Sequence, residues 1–181
     1  MSTAADAAQV LRFWSEAGPD RWFEVDEAFD SEFRERFLSA HFAAAKRQCE
    51  SWMQSAEGAL GLLLLLDQFP RNAFRGTAHM YATDPLARHY ARLALDAGFM
   101  EQVGRNLRVF FCLPFSHAES LAEQELAVTL NEQLGQPWLS HAIGHREVVR
   151  RFGRFPHRNA MLGRETTAEE QAFLDGGGFA G

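Results

Sequence analysis

The chain has little that would mark it for a special environment. Its two cysteines, Cys49 and Cys112, lie far apart in 181 residues and form no CxxC pair. A disulfide-stapled scaffold is thereby excluded, and both read as small buried hydrophobes of a reducing compartment. Long apolar runs are also missing. The longest, Leu62 to Leu66 with its flanks, falls well short of the ~20 residues that cross a bilayer. The opening Met1-Ser2-Thr3-Ala4-Ala5-Asp6 has no basic start ahead of an apolar stretch, so no signal peptide is expected and the protein reads as cytoplasmic. Sustained alternation of apolar and polar residues is absent and β-branched residues are few, which argues against strands.

Positive charge is scarce too. The net charge of −6 argues against nucleic-acid binding, whose affinity comes largely from neutralised phosphates. Lys46 is the only lysine among eighteen basic residues. The arginines gather late: Arg146, Arg150, Arg151, Arg154, Arg158 and Arg164 face Glu147 alone in that stretch. Arginine favours planar recognition of carboxylate or phosphate, although GC-rich coding produces the same bias without any function.

Aromatic residues are plentiful. Sixteen Phe and four Trp, each contributing about 1.5–3 kcal/mol when buried, suffice for a core in one domain spanning residues 1–181. Helix signals recur throughout. A first helix is expected from Asp6 to Ala17, stopped by Gly18-Pro19, and a second from Asp30, continuing bent through Trp52. A third, Glu57 to Gln68, is apolar on all sides and therefore central, ending at Phe69-Pro70. Asp84-Pro85 opens the next with a capping carboxylate, and Gly98 stops it. Further helices are expected over Met100–Phe111, from a Ser116/Glu119 capping box to Gly135, over Pro137–Phe152 ahead of Gly153, and from Thr166 or Thr167 to Gly176. The result is an all-α chain of about eight helices in stacked antiparallel hairpins. These are comparable to degenerate tetratricopeptide-like repeats, since the true 34-residue consensus is not present.

Two segments share a pattern. Asp67-Gln68-Phe69-Pro70-Arg71-Asn72 is followed by Arg75, and Arg154-Phe155-Pro156-His157-Arg158-Asn159 by Arg164. Each places Phe-Pro at an expected helix end and brings out Arg and Asn directly afterwards. Proline fixes the direction and Phe anchors the segment, so the polar groups are held in place. The strings LLLLLDQFPRNAFRGTA, ATDPLA, FFCLPFSHAES and HREVVRRFGRFPHRNAMLGRETTAEE resemble a bacterial family catalogued as domain of unknown function 924, over nearly the whole chain. The resemblance implies an all-helical, tetratricopeptide-like fold and brings no established activity. Cys112 stands where the family pattern leads one to expect an aromatic.

Two readings of these polar residues follow. In one, Asp67 closes a structural ion-pair network with the arginines. In the other, Arg71, Asn72, Arg154, His157, Arg158 and Asn159 line one pocket for an anionic small molecule or peptide, with Asp67, Arg75, His117, His145 and Arg164 beside it. His117, His145 and His157 form a further constellation, suited to acid–base catalysis in a small-molecule hydrolase or transferase. No nucleophile motif or phosphate loop accompanies them. His141 and His145, four apart, have zinc-compatible spacing with Glu119 or Glu123 nearby. The HExxH pattern is lacking, however, and neither metal nor cofactor is expected. The binding or scaffold module is the leading expectation and the enzyme the alternative, with no membrane or nucleic-acid partner.

Overall fold

The computed structural model describes residues 6–179, and among these every regular element is helical. The chain forms two compact units, Met1–Pro114 and Phe115–Gly181. The first contains α1 (Ala7–Ala17), the short α2 (Pro19–Trp22), α3 (Glu27–Ala45), α4 (Ala56–Leu63), α5 (Phe69–Ala73), α6 (Asp84–Asp96) and most of α7 (Val109–Ser116). The second contains α8 (Leu121–Leu134), α9 (Trp138–Phe152) and α10 (Ala168–Asp175). Among the described residues no helix is long and apolar enough to cross a membrane.

Aromatic rings and the leucine run build the core of the first unit. Trp14, Phe29, Phe33, Phe37, Phe69 and Phe110 are fully buried. Phe13 stacks on Phe29 and Phe33 with both centroid separations at 5.1 Å, and Phe33 meets Phe69 edge-on at 5.0 Å. Apolar on every side, α4 packs against α1 and α6. Cys49 and Cys112 are free and buried.

Several boundaries differ from the sequence expectation, each for a local reason. α3 starts at Glu27 rather than Asp30, because the Asp26 carboxylate accepts from the amides of Ala28 and Phe29. It stops at Ala45, and Arg47 turns the chain with φ 61°. The stretch from Met100 gives single turns at Met100–Gln102 and Arg105–Leu107, interrupted by extended Val103. α7 begins only at Val109 and continues through Pro114. The Ser116/Glu119 capping box does not form. Ser116 is the last residue of α7, Ser120 precedes α8, and Glu119 points elsewhere. Asp84 is the first residue of α6 rather than its cap, which leaves its carboxylate for Arg71. The Asp6 and Thr167 boxes and the left-handed Gly153 stop occur as expected.

The main departure is at Phe69-Pro70, which does not end a helix. Residues Leu64–Gln68 widen into a π turn that leads directly into α5. Proline lacks an N–H and its ring crowds the carbonyl four residues back, so a regular helix cannot pass. Widening the turn relieves the crowding. The Phe69 amide bonds back to Leu64 O rather than to Leu65 O, and Pro70 has no N–H to offer Leu66 O. The Leu65 and Leu66 carbonyls are satisfied from outside the helix. Buried His41 contacts Leu65 O through Nδ1 at 2.9 Å, and the Thr83 hydroxyl donates to Leu66 O at 2.5 Å. A carbonyl only accepts, so His41 carries its proton on Nδ1. Its Nε2 then accepts from His79 Nε2 at 3.0 Å.

Candidate functional site

In the first unit, the π turn and α5 place Asp67, Arg71, Asn72 and Arg75 in a closed network. Asp67 and Asp84 are buried. Arg71 forms a two-pronged bond to Asp84, at 2.8 and 3.0 Å. It also reaches the backbone and carboxylate oxygens of Asp67 at 2.7 and 3.3 Å. Burial opposes the Arg71 charge, but the two carboxylates outweigh it and hold the guanidinium above its ordinary pKa. Asn72 and Arg75 share Asp30, at 2.7 and 3.0 Å. Three carboxylates thus answer two guanidiniums, leaving no surplus positive charge to attract an anion. These four residues act as a brace across α3, α5 and α6.

The second unit treats its Phe-Pro segment similarly in part. Arg154 grips buried Glu170 at 2.6 and 2.9 Å, while Asn159 and the Thr167 amide bond the same carboxylate. The Arg154 hydrogen bonds pull the Glu170 pKa down to about 2. Arg164 clamps Glu119 at 2.6 and 2.9 Å and bonds Asn159 Oδ1 at 3.0 Å. Glu119 also accepts from the Phe155 amide at 2.7 Å. Burial works against the Glu119 charge, but Arg164 and that amide keep its pKa below the usual range. Buried Arg158 lies over the Phe155 ring at 4.5 Å.

The histidines of this unit converge. His117 lies 6.3 Å from His145, ring to ring. His145 meets Phe155 edge-on at 5.7 Å, and His157 is 5.7 Å from that same ring. Among the described residues no group of three or more His, Cys, Asp or Glu is placed to hold a metal ion. His145 Nδ1 is buried and has no hydrogen-bond partner among the described residues. Burial pushes its pKa down to about 3, aided by His117, Arg158, His141 and His157. The imidazole is therefore neutral, in surroundings where the groups acting most strongly on it are basic.

His145 lines a cleft of about 410 Å³ along α9. Its walls include Val148, Arg151, Phe152, Phe173 and Phe179. His141, His145, Val148 and Phe152 fall three or four residues apart, one stripe of the helix, and α10 supplies Phe173, whose ring meets Phe152 at 5.1 Å. Gly144 also borders the cleft, and a Cβ there would meet no atom within 4 Å. Arg151 lies over Phe152 at 4.7 Å. Its carboxylate partner is Glu169 at 3.0 Å, and both side chains are more than half exposed, the kind of pair worth about 0–1 kcal/mol. Glu147 is already engaged by Arg146 and Arg150, each at 2.9 Å.

Of the residues singled out from the sequence, His141 and His145 line this cleft, whereas Arg154, Asn159 and Arg164 are tied into the Glu170 and Glu119 network. The cleft also uses Val148, Arg151, Phe152, Phe173 and Phe179, which sequence reasoning missed. The apolar spacing running on from His141 and His145 to Val148 and Phe152 was the available signal.

Comparison with known proteins agrees with this architecture. Residues 10–178 match the model of a bacterial protein family of unknown function, DUF924. A solved structure of a protein of unknown function from Agrobacterium tumefaciens is similar at 58% identity and a TM-score of 0.92, covering 94% of this chain and 97% of that one. No curated protein matches the chain.

Proposed function

Since the chain belongs to the bacterial DUF924 family, which brings a fold without an activity, we propose a function from the cleft: it binds a small amphipathic anion. The observation that carries this reading is the buried Nδ1 of His145, without a partner among the described residues, on the wall of a cleft that also presents Val148, Phe152, Phe173 and Phe179. A buried polar atom without a partner costs about 1–3 kcal/mol, which a ligand supplying the missing hydrogen bond recovers. The basic surroundings of His145 favour a ligand with negative charge. Arg151, whose carboxylate partner is the exposed Glu169, is the guanidinium that can exchange that partner for a ligand carboxylate. Phe152, Phe173 and Val148 receive the apolar body.

The α8–α9 hairpin with α10 folded against Phe152 supports reading these helix pairs as tetratricopeptide-like, with the ligand on the face of a packed pair. Acid–base catalysis fits less well. An imidazole whose pKa lies near 3 is not an imidazolium at neutral pH, so it is a poor general acid and a weak base, although its neutral N–H can still donate a hydrogen bond. Ser140, the hydroxyl on the cleft wall, donates to Gln136 at 2.6 Å.

The test is a thermal-shift and calorimetric screen of aliphatic and aromatic carboxylates on wild type and Gly144→Leu. Replacing a mid-helix glycine stabilises α9 by up to about 1 kcal/mol, while the new side chain fills the cleft. Wild type should be stabilised by about 2.7 kcal/mol at a hundredfold Kd. Gly144→Leu should start more stable and gain nothing. Equal ligand-induced shifts in both proteins would place binding elsewhere and overturn the reading.

A further inference from the structure

Beyond α10 the chain runs through Gly176, Gly177 and Gly178 to Phe179. Gly177 takes a left-handed turn, φ 78°, and Gly178 is pressed against Phe173 so closely that a Cβ would lie 2.5 Å from the ring tip. Only glycine passes there without displacing the ring. This path brings Phe179 back to the cleft, where its ring sits among three others. It meets His145 at 4.5 Å and His157 at 5.1 Å, both nearly perpendicular, and Phe155 lies 6.1 Å away. Rings at this spacing present their positive edges to a neighbour's π face. The slot is thus shaped and polarised for a flat aromatic ring. Phe179 is nevertheless 38% exposed and hangs on three consecutive glycines, so little holds it in place.

We propose that the slot occupied by Phe179 is the aryl subsite of the cleft, that its ligands are aryl carboxylates, and that Phe179 is a built-in competitor they displace. This inference rests on the cleft reading above and narrows it. Arg151, on the same wall, receives the carboxylate; the space between His145, His157 and Phe155 receives the ring. Affinity for such a ligand is reduced by the fraction of time the slot is closed.

Wild type and Phe179→Ala are titrated with phenylacetate, octanoate and benzyl alcohol, following the His145 imidazole by proton–carbon NMR. If Phe179 fills the slot nine-tenths of the time, phenylacetate binds Phe179→Ala about tenfold more tightly than wild type. Octanoate gains much less, and benzyl alcohol gains similarly but stays weaker throughout. Equal phenylacetate affinity in the two proteins overturns the competitor role. An equal gain for octanoate overturns the aryl preference, and benzyl alcohol matching phenylacetate overturns the carboxylate contact. Octanoate binding alone removes this inference and leaves the general cleft standing, whereas no binding by any probe to either protein removes both.

Discussion

Acidification should destabilise the second unit through His145. The folded-state pKa lies at about 3, against an ordinary value near 6.5. The folded state therefore refuses a proton that the unfolded chain accepts, and stability falls as pH drops through 6.5 toward the folded value. Linkage over these two values gives a loss of about 2 kcal/mol between pH 7 and pH 5, and about 5 kcal/mol at the acid limit. Urea unfolding of wild type and His145→Gln at both pH values isolates this contribution, because the remaining titrating groups are common to both. Amide exchange at Val148 and Val149, buried on the same helix, provides a local reading. The pH 7 to pH 5 loss should be about 2 kcal/mol smaller in the variant. An equal loss in the two proteins, or an imidazole that titrates near pH 6, would refute the burial argument.

Thr83→Val keeps the side-chain shape but removes the hydroxyl that donates to Leu66 O; chemical denaturation should show a loss of about 1–3 kcal/mol. Arg71→Met leaves Asp67 and Asp84 buried without their cation, and should cost about 3–5 kcal/mol at pH 7. A loss below about 1 kcal/mol would count against the brace. Arg151→Ala gives up an exposed ion pair and the contact over Phe152 and should change stability by no more than about 2 kcal/mol, while weakening carboxylate binding in the calorimetric screen.

Helix content was legible in the sequence because its signals are local. Asp6, Thr167, Gly153 and the all-apolar Leu60–Leu66 segment each act on their own turn of backbone. The errors arose where a distant residue decides. Phe69-Pro70 reads as a stop until His41 and Thr83 are seen taking up the orphaned carbonyls. Asp84 reads as a cap until Arg71, thirteen residues away, takes its carboxylate. Ser116 and Glu119 have the spacing of a box, but Arg164 and the Phe155 amide compete for the glutamate. The polar site shows the same limit. Arginine counts pointed to a charged pocket, whereas most of those arginines are matched by carboxylates that only folding brings near. Arg151, which is held loosely, looked no different from its neighbours in the sequence.

The π turn beneath the leucine run also settles a matter of phase. Five consecutive leucines present the same surface in every direction, so that stretch has no preferred rotation about its own axis. Pro70, with His41 and Thr83 holding the two displaced carbonyls, acts as an index mark for the helix. Removing one leucine would leave hydrophobicity and helix content nearly unchanged. It would, however, swing the residues beyond the deletion by about 100°, turning Arg71 away from Asp84 and Asn72 away from Asp30. Chain length within an apparently featureless repeat is therefore as tightly specified as any side chain in the brace.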